Sequence, residues 1–205
     1  MLNNFQMINT HLDREMNETS EDTVVNAFLG CLNPSEHYAP YPRFSQLFVF
    51  GDSLSDTCNT FKRTKEALGQ GLPPVLPYFS RRFSDGPVWV EYLAHFLKLS
   101  RSCHTNFAVS GATTGDANTF PLETVRLPGL KQQLEAFIQS LNNAEADRDA
   151  LYVLWAGAND YLAGGVTDPT EPIANLTNAV KVLLDNGARQ IMVTNLPDLG
   201  RLPGT

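Results

Sequence analysis

Residues 47–61 read LFVFGDSLSDTCNTF, and this stretch decides the fold class. Its first four residues are apolar and favour β-structure, and Gly51 and a polar loop follow them. This pattern is typical of a strand buried in a parallel sheet. Gly51 permits a tight turn because it carries no Cβ. Ser53 comes directly after the strand, so the stretch predicts a serine hydroxyl exposed at the carboxyl end of a buried strand.

Strand-like and helix-like segments alternate along the rest of the chain. The alternation, with nearly continuous apolar strands, predicts an α/β domain with a parallel sheet and helices on both faces. The helical patterns include an amphipathic stripe in PVWVEYLAHFLKL and a helix ended by Gly187. The predicted strands after the first are NFAV (106–109), ALYVLWAG (150–157) and RQIMVTNL (189–196), and the predicted helices are 60–68, 87–99, 127–141 and Ile173–Asn186.

Composition and charge exclude several classes of protein. The chain has 15 Lys and Arg against 22 Asp and Glu, a net charge of −7, and no long basic cluster. We therefore expect no nucleic-acid partner. No run of apolar residues is long enough to span a membrane. The N-terminus lacks the basic start and apolar core of a secretory signal, so we expect a cytoplasmic protein.

Residues 1–43 are polar and end in a proline-rich segment, and we interpret them as a flexible arm that precedes a domain over residues 44–205. The chain has three cysteines, Cys31, Cys58 and Cys103. They are scattered without the spacing of metal ligands. We expect unreactive thiols, with neither a disulfide nor a zinc site.

Polar loops follow each predicted strand, and ligands of parallel α/β sheets bind at that edge. In these loops Ser53 is a candidate nucleophile, and the Gly111 N–H and the Asn159 side-chain amide are candidate donors to an oxyanion. Each residue taken alone has a simpler explanation: a helix N-cap for Ser53, a turn glycine for Gly111 and a helix cap for Asn159.

Taken together, the loops and their order resemble the GDSL-type lipase/esterase family, also called SGNH hydrolases. The resemblance runs from about residue 44 to the end of the chain. The matching blocks are FVFGDSLSDTCNTF (48–61), NFAVSGATTGD (106–116) and LYVLWAGANDYL (151–162), flanked by RFSDGPVWVEYLA (82–94) and VTNLPDLGRLP (193–203). The flanking segments are similar to the plant-like and cyanobacterial-like branch.

The resemblance implies a three-layer α/β/α, flavodoxin-like fold and hydrolysis of a small-molecule or lipid ester through an acyl-enzyme. Ser53 corresponds to the nucleophile. The oxyanion donors correspond to the backbone N–H of Ser53, the backbone N–H of Gly111 and the side chain of Asn159. The implied chemistry uses no metal and no cofactor.

The sequence departs from the family at the catalytic base, a histidine in an Asp-x-x-His block. All its histidines (His11, His37, His95 and His104) precede Asn159, and none has an aspartate three residues before it. We therefore expect that the C-terminal portion of the domain is missing and that this chain is weakly active or inactive. A non-catalytic acyl-binding module is the alternative, and a flavin or nucleotide binder rests on fold analogy alone. Cys58 and Arg81 replace family glycines.

Overall fold

A computed structural model of the protein describes residues 44–100, 102–122 and 124–202. Strands and helices alternate in the described residues, as the sequence pattern predicts. The strands are β1 Leu47–Gly51, β2 Leu151–Trp155 and β3 Gln190–Val193; the α-helices are α1 Asn59–Leu68, α2 Trp89–Phe96, α3 Leu130–Ser140, α4 Ala158–Leu162 and α5 Thr170–Asp185; and Leu199–Arg201 forms a 3-10 helix.

The three strands form a parallel sheet in the order β1-β2-β3. Leu47 lies opposite Leu151 at one end of the β1–β2 pair, and Gly51 lies opposite Trp155 at the other. The carboxyl ends of both strands therefore meet at one edge. The polar loops that follow them start from neighbouring positions.

The predicted strand NFAV is not a full strand, but it lies beside β1 like one. Val49 N donates to Thr105 O at 2.9 Å, Phe107 N donates to Val49 O at 2.7 Å, and Val109 N donates to Gly51 O at 3.0 Å. The segment runs parallel to β1. It therefore delivers the loop after Val109 to the same edge of the sheet as the loop after β1.

Helices cover both faces of the sheet, which confirms the α/β fold with a parallel sheet. Alternate residues of a strand point to opposite faces, so each strand contributes to two apolar clusters. One cluster joins Phe50, Tyr152 and Leu154 to α3 and α5. The other joins Val49 and Val153 to α2.

The boundaries of three helices differ from the prediction by a few residues. Helix α3 begins at Leu130, three residues later than predicted. Helix α2 begins at Trp89 rather than Pro87, because Val88 is extended and its N–H donates to Glu91 Oε2 at 2.9 Å. Glu91 is buried and also pairs with the buried Arg82, Nη2 to Oε1 at 2.8 Å. Helix α5 begins at Thr170, three residues earlier than predicted, and Gly187 follows its end with a φ of 107°.

The expectation that all three cysteines are unreactive thiols is wrong for two of them. Cys58 and Cys103 form a disulfide, with their Cα atoms 6.4 Å apart. Sequence spacing did not reveal it because the two residues are 45 positions apart. They meet only because α1 starts beside the segment that runs along β1. Cys31 lies outside the described residues.

The predicted arm, residues 1–43, also lies outside the described residues, so its interpretation stays a prediction. Among the helices of the described ranges, none is both long and apolar enough to cross a membrane.

Candidate active site

Ser53 lies in a tight turn directly after β1. The Asp52 carbonyl accepts hydrogen bonds from Ser55 N and Asp56 N, both at 3.0 Å, and the Asp52 side chain accepts one from Leu54 N at 3.0 Å. These bonds fold the backbone around Ser53. The serine is half-buried and hydrogen-bonds to no described residue. It is not a helix cap, because the N-cap of α1 is Cys58.

Gly51 fixes where this turn begins. Its φ is +155°, and a Cβ built there would lie 2.2 Å from the Trp155 carbonyl oxygen. The buried amide of Gln133 holds the same residue from α3: Gly51 N donates to Oε1 at 2.9 Å, and Nε2 donates to Gly51 O at 2.8 Å. The last residue of β1 is therefore fixed by β2 on one side and by α3 on another.

The Asp56 carboxylate joins the Ser53 loop to the Gly111 loop. It is buried and accepts hydrogen bonds from two elements that are distant in sequence. Ser110 donates from N at 3.1 Å and from Oγ at 3.3 Å. From the start of α1 it accepts bonds from Cys58 N (2.9 Å), Asn59 N (2.7 Å), Thr60 N (3.0 Å) and Thr60 Oγ1 (2.5 Å). Asp52 and Asp56, which flank Ser53 closely, thus both hydrogen-bond the loop.

Gly111 is buried and adopts a φ of +80°, a backbone conformation that favours glycine. A Cβ at this position would lie 2.5 Å from Asn118 Oδ1 and 2.6 Å from Phe120 N. The Gly111 carbonyl accepts a hydrogen bond from Thr119 N at 2.8 Å. Its N–H has no acceptor among the described residues.

Asn159 lies in the first turn of α4, and its side chain reaches across to the Gly111 loop. Its Nδ2 donates to the Ala112 carbonyl at 3.0 Å. It does not cap the helix, because the N-cap is Gly157. The next residue, Asp160, is buried and accepts hydrogen bonds from Thr114 N at 3.0 Å and Thr114 Oγ1 at 2.6 Å. Two adjacent side chains thus attach α4 to one loop.

The structure therefore brings the three predicted blocks together. Val109 bonds to Gly51, Ser110 to Asp56, and Ala112 to Asn159. The loops that carry Ser53, Gly111 and Asn159 form one connected hydrogen-bonded unit at the carboxyl edge of the sheet. Which of these groups act in catalysis stays a prediction.

The described histidines lie away from this edge. Trp89 Nε1 donates to Ser55 Oγ at 3.1 Å, so α2 begins beside the Ser53 loop. His95 follows six residues later, about 9 Å along the helix axis. His104 is exposed and precedes the segment that runs parallel to β1, which places it at the opposite end of the sheet. His11 and His37 lie outside the described residues.

No described group of three or more His, Cys, Asp and Glu side chains is placed to hold a metal ion. Three buried aspartates, Asp52, Asp56 and Asp160, lie close enough for the last two to raise the pKa of the first. The last two are occupied by the hydrogen bonds described above.

The pKa of Asp52 is raised from 3.8 to about 6. Burial is the main cause; the negative charges of Asp160 and Asp56 also raise the pKa, and the hydrogen bond from Leu54 N–H lowers it. A carboxyl group beside Ser53 therefore changes charge just below neutral pH. The folded protein holds this proton more tightly than the unfolded chain does.

We expect Asp52→Asn to remove a pH-dependent loss of stability. The stabilising contribution of protonated Asp52 is complete below pH 3.8 and is lost as the pH rises through about 6. This shift corresponds to about 3 kcal/mol at neutral pH. The free energy of unfolding of the variant, relative to wild type, should therefore rise by about that amount between about pH 4 and pH 7 in urea titrations.

Asp149→Asn is the matched control, because Asp149 is exposed and its side chain has no partner among the described residues. The free energy of unfolding of Asp149→Asn, relative to wild type, should not change with pH. If the same quantity for Asp52→Asn were also independent of pH, the pKa of Asp52 would not be raised in the folded protein.

Three polar residues that stabilise the site were not predicted. They are Gln133, Asn118 and Asn59, whose Nδ2 donates to Asn106 O at 2.7 Å and Ala108 O at 2.9 Å. Gln133 gave one usable signal: it interrupts the apolar stripe of α3, between Leu130 and Phe137. A buried amide in such a stripe needs a partner, and the end of β1 supplies it.

The described residues thus form an α/β protein whose polar loops, Ser53 among them, meet at one edge of a parallel sheet. The family model for the GDSL-like lipase/acylhydrolase domain matches residues 47–205. The chain therefore belongs to the GDSL-like lipase/acylhydrolase family, which confirms the resemblance that its three blocks indicated.

Curated relatives support the same assignment. A phosphatidylcholine-sterol acyltransferase from Aeromonas hydrophila is 36% identical over 170 residues, covering 79% of this chain and 47% of the relative. GDSL esterase/lipase 22 from Arabidopsis thaliana is 31% identical over 189 residues, covering 77% and 46%. Inactive GDSL esterase/lipase-like protein 25, from the same plant, is 28% identical over 184 residues, covering 77% and 43%. The chain thus spans less than half the length of each of these relatives.

Proposed function

We propose that the whole protein is a hydrolase of carboxylic esters in which Ser53 is the nucleophile. The oxyanion donors are the backbone N–H groups of Ser53 and Gly111 and the side-chain amide of Asn159. The observation that supports this best is the N–H of the buried residue Gly111, which has no acceptor among the described residues. Buried backbone N–H groups are rarely left unpaired, so this one is available to a ligand oxygen.

The geometry suits charge that develops on a carbonyl oxygen. Asn159 is a neutral, directional donor, and its bond to Ala112 O uses only one of its two N–H groups. The Gly111 loop is fixed by Asp56, Thr119 and Asn159, so its N–H needs no rearrangement during the reaction. Attack by Ser53 Oγ forms the ester bond of an acyl-enzyme and releases the alcohol, and water then hydrolyses that bond.

A base must accept the Ser53 proton during this attack. The family's Asp-x-x-His block does not occur in these 205 residues, and neither described histidine lies at the site. A histidine from further sequence would complete the triad. Without one, we expect acylation of Ser53 by these residues to be slow, because loss of a triad member costs about 10⁴-fold or more in rate.

The second candidate is a non-catalytic protein that keeps the acyl-binding edge. It is favoured by the missing base, and a relative of similar coverage is itself named inactive. In that case Ser53 would bind near an ester without attacking it.

Release of p-nitrophenol from p-nitrophenyl butyrate separates the two candidates. For the purified 205-residue chain we expect a slow release that Ser53→Ala abolishes and that Asn159→Ala lowers about 100-fold. Ser102→Ala is the control, since Ser102 lies at the other end of the sheet. A rate that Ser53→Ala leaves unchanged would contradict Ser53 as the nucleophile of this chain and support the binding protein.

The cellular location and the absence of a nucleic-acid partner also stay proposals. The acidic net charge of −7 supports the proposal that the protein has no nucleic-acid partner. The Cys58–Cys103 disulfide argues against the expected cytoplasmic location, because such bonds persist mainly in oxidising compartments.

A further inference from the structure

A cavity of about 680 Å³ lies between α1, the loop over residues 116–122 and the start of α3. Its size is within the range of small-molecule sites. Its lining is mixed: it contains apolar side chains together with two arginines and one aspartate. The lining residues used below are Arg63, Arg126, Asp116, Asn118, Phe120 and Leu122.

This cavity adjoins the candidate active site through the backbone of Gly111. Asn118 Nδ2 donates to Ser110 O at 3.0 Å, and Asn118 Oδ1 accepts from Phe120 N at 2.8 Å. Both residues contact the space where a Gly111 side chain would lie. One face of the 118–120 segment therefore lines the cavity, and another supports the peptide that carries the proposed oxyanion donor.

The charges of the cavity favour an anion. Arg63 and Arg126 are both exposed, and neither forms a hydrogen bond or ion pair with a described residue. Among the described residues that line it, two arginines outnumber one acidic side chain, Asp116, which gives these residues a net charge of +1. This local excess stands out in a chain whose net charge is −7. Guanidinium groups bind phosphate and carboxylate through paired hydrogen bonds.

We propose that this cavity binds an amphiphilic anion. Its acidic group, a phosphate or a carboxylate, pairs with Arg63 and Arg126, and its apolar part packs against Phe120 and Leu122. The further assignment of this ligand as part of an ester substrate rests on the proposed function. It would make the substrate an ester that carries an anionic group, with that group bound on the far side of the Gly111 loop from Ser53.

Isothermal titration of the 205-residue chain with hexyl phosphate tests the site at low ionic strength. We expect saturable binding that Arg63→Gln and Arg126→Gln each weaken about tenfold, and that Asp116→Asn tightens. Arg148→Gln is the matched control, because Arg148 is exposed, has no described partner and lies outside the cavity. It should leave the affinity unchanged.

Further ligands identify which features are recognised. Hexanol lacks the charge and inorganic phosphate lacks the alkyl chain, so both should bind more weakly than hexyl phosphate. Hexanoate distinguishes a carboxylate from a phosphate as the preferred group, and binding of either supports the site. Absence of saturable binding, or equal affinities for wild type, Arg63→Gln and Arg126→Gln, would overturn the proposal.

This binding measurement needs no catalysis. Ser53→Ala should bind hexyl phosphate as wild type does. If the chain binds hexyl phosphate but Ser53 does not react with esters, the anion site stands and Ser53 as the nucleophile is contradicted. If Ser53 reacts with esters but hexyl phosphate does not bind, Ser53 as the nucleophile stands and the anion site is contradicted.

Discussion

Asp56→Ala is expected to destabilise the protein by about 4 kcal/mol and to disorganise the candidate site. The substitution leaves the donors of Cys58, Asn59 and Thr60 without their acceptor in a largely buried environment. Ser110 N keeps only its bond to Thr60 Oγ1, at 2.9 Å. Unpaired buried donors are costly, and bonds to a charged acceptor are among the stronger ones. The loss should appear as a lower midpoint in urea, followed by fluorescence.

Asp149→Ala is the control for this substitution and should change stability by less than about 0.5 kcal/mol. Asp56→Asn should fall between the two, because its amide keeps one acceptor oxygen and adds a donor that faces other donors. A loss below about 1 kcal/mol for Asp56→Ala would show that water replaces the carboxylate and that Asp56 does not hold the two loops together.

Gly51→Ala is expected to cost at least about 3 kcal/mol. The added Cβ would lie 2.2 Å from the Trp155 carbonyl oxygen, and that oxygen belongs to the neighbouring strand. The φ of +155° is also unfavourable for alanine. To avoid this clash, β1 and β2 must separate where the Ser53 loop begins. We therefore expect the variant to lose both stability and any reactivity of Ser53.

Gly200→Ala provides the comparison, since its nearest contact is an ordinary 3.5 Å from Asp198 Oδ1. It should alter the free energy of unfolding by less than about 0.5 kcal/mol. If Gly51→Ala unfolded at the same urea concentration as wild type, the close approach of the two strands would not exist in solution.

The fold class was predictable because the strands are continuous apolar runs and the helices carry apolar stripes. Residues 47–50 and 150–157 gave the two central strands directly. The segment at 106–109 was harder, because it contributes a few backbone bonds to β1 without forming a full strand. The disulfide was not predictable, since nothing local to Cys58 or Cys103 indicates that they meet.

The candidate site was only partly predictable, for a similar reason. Ser53, Gly111 and Asn159 each follow a strand, and the carboxyl ends of parallel strands share an edge, so their proximity follows from topology. The residues that hold these loops in place could not be predicted in the same way. Gln133 and Asn118 act through amide groups that become partners only in the folded chain, and their local sequence does not indicate this. The anion-binding cavity likewise depends on Arg63 and Arg126, which are far apart in sequence.

The most direct test of the central claim is to locate the covalent adduct of a small fluorophosphonate by peptide mass spectrometry. We predict a single slow adduct on the peptide that contains Ser53, absent from Ser53→Ala and formed about 100-fold more slowly by Asn159→Ala. No adduct at Ser53, or an adduct whose rate of formation does not depend on Asn159, would contradict the proposed nucleophile and oxyanion site.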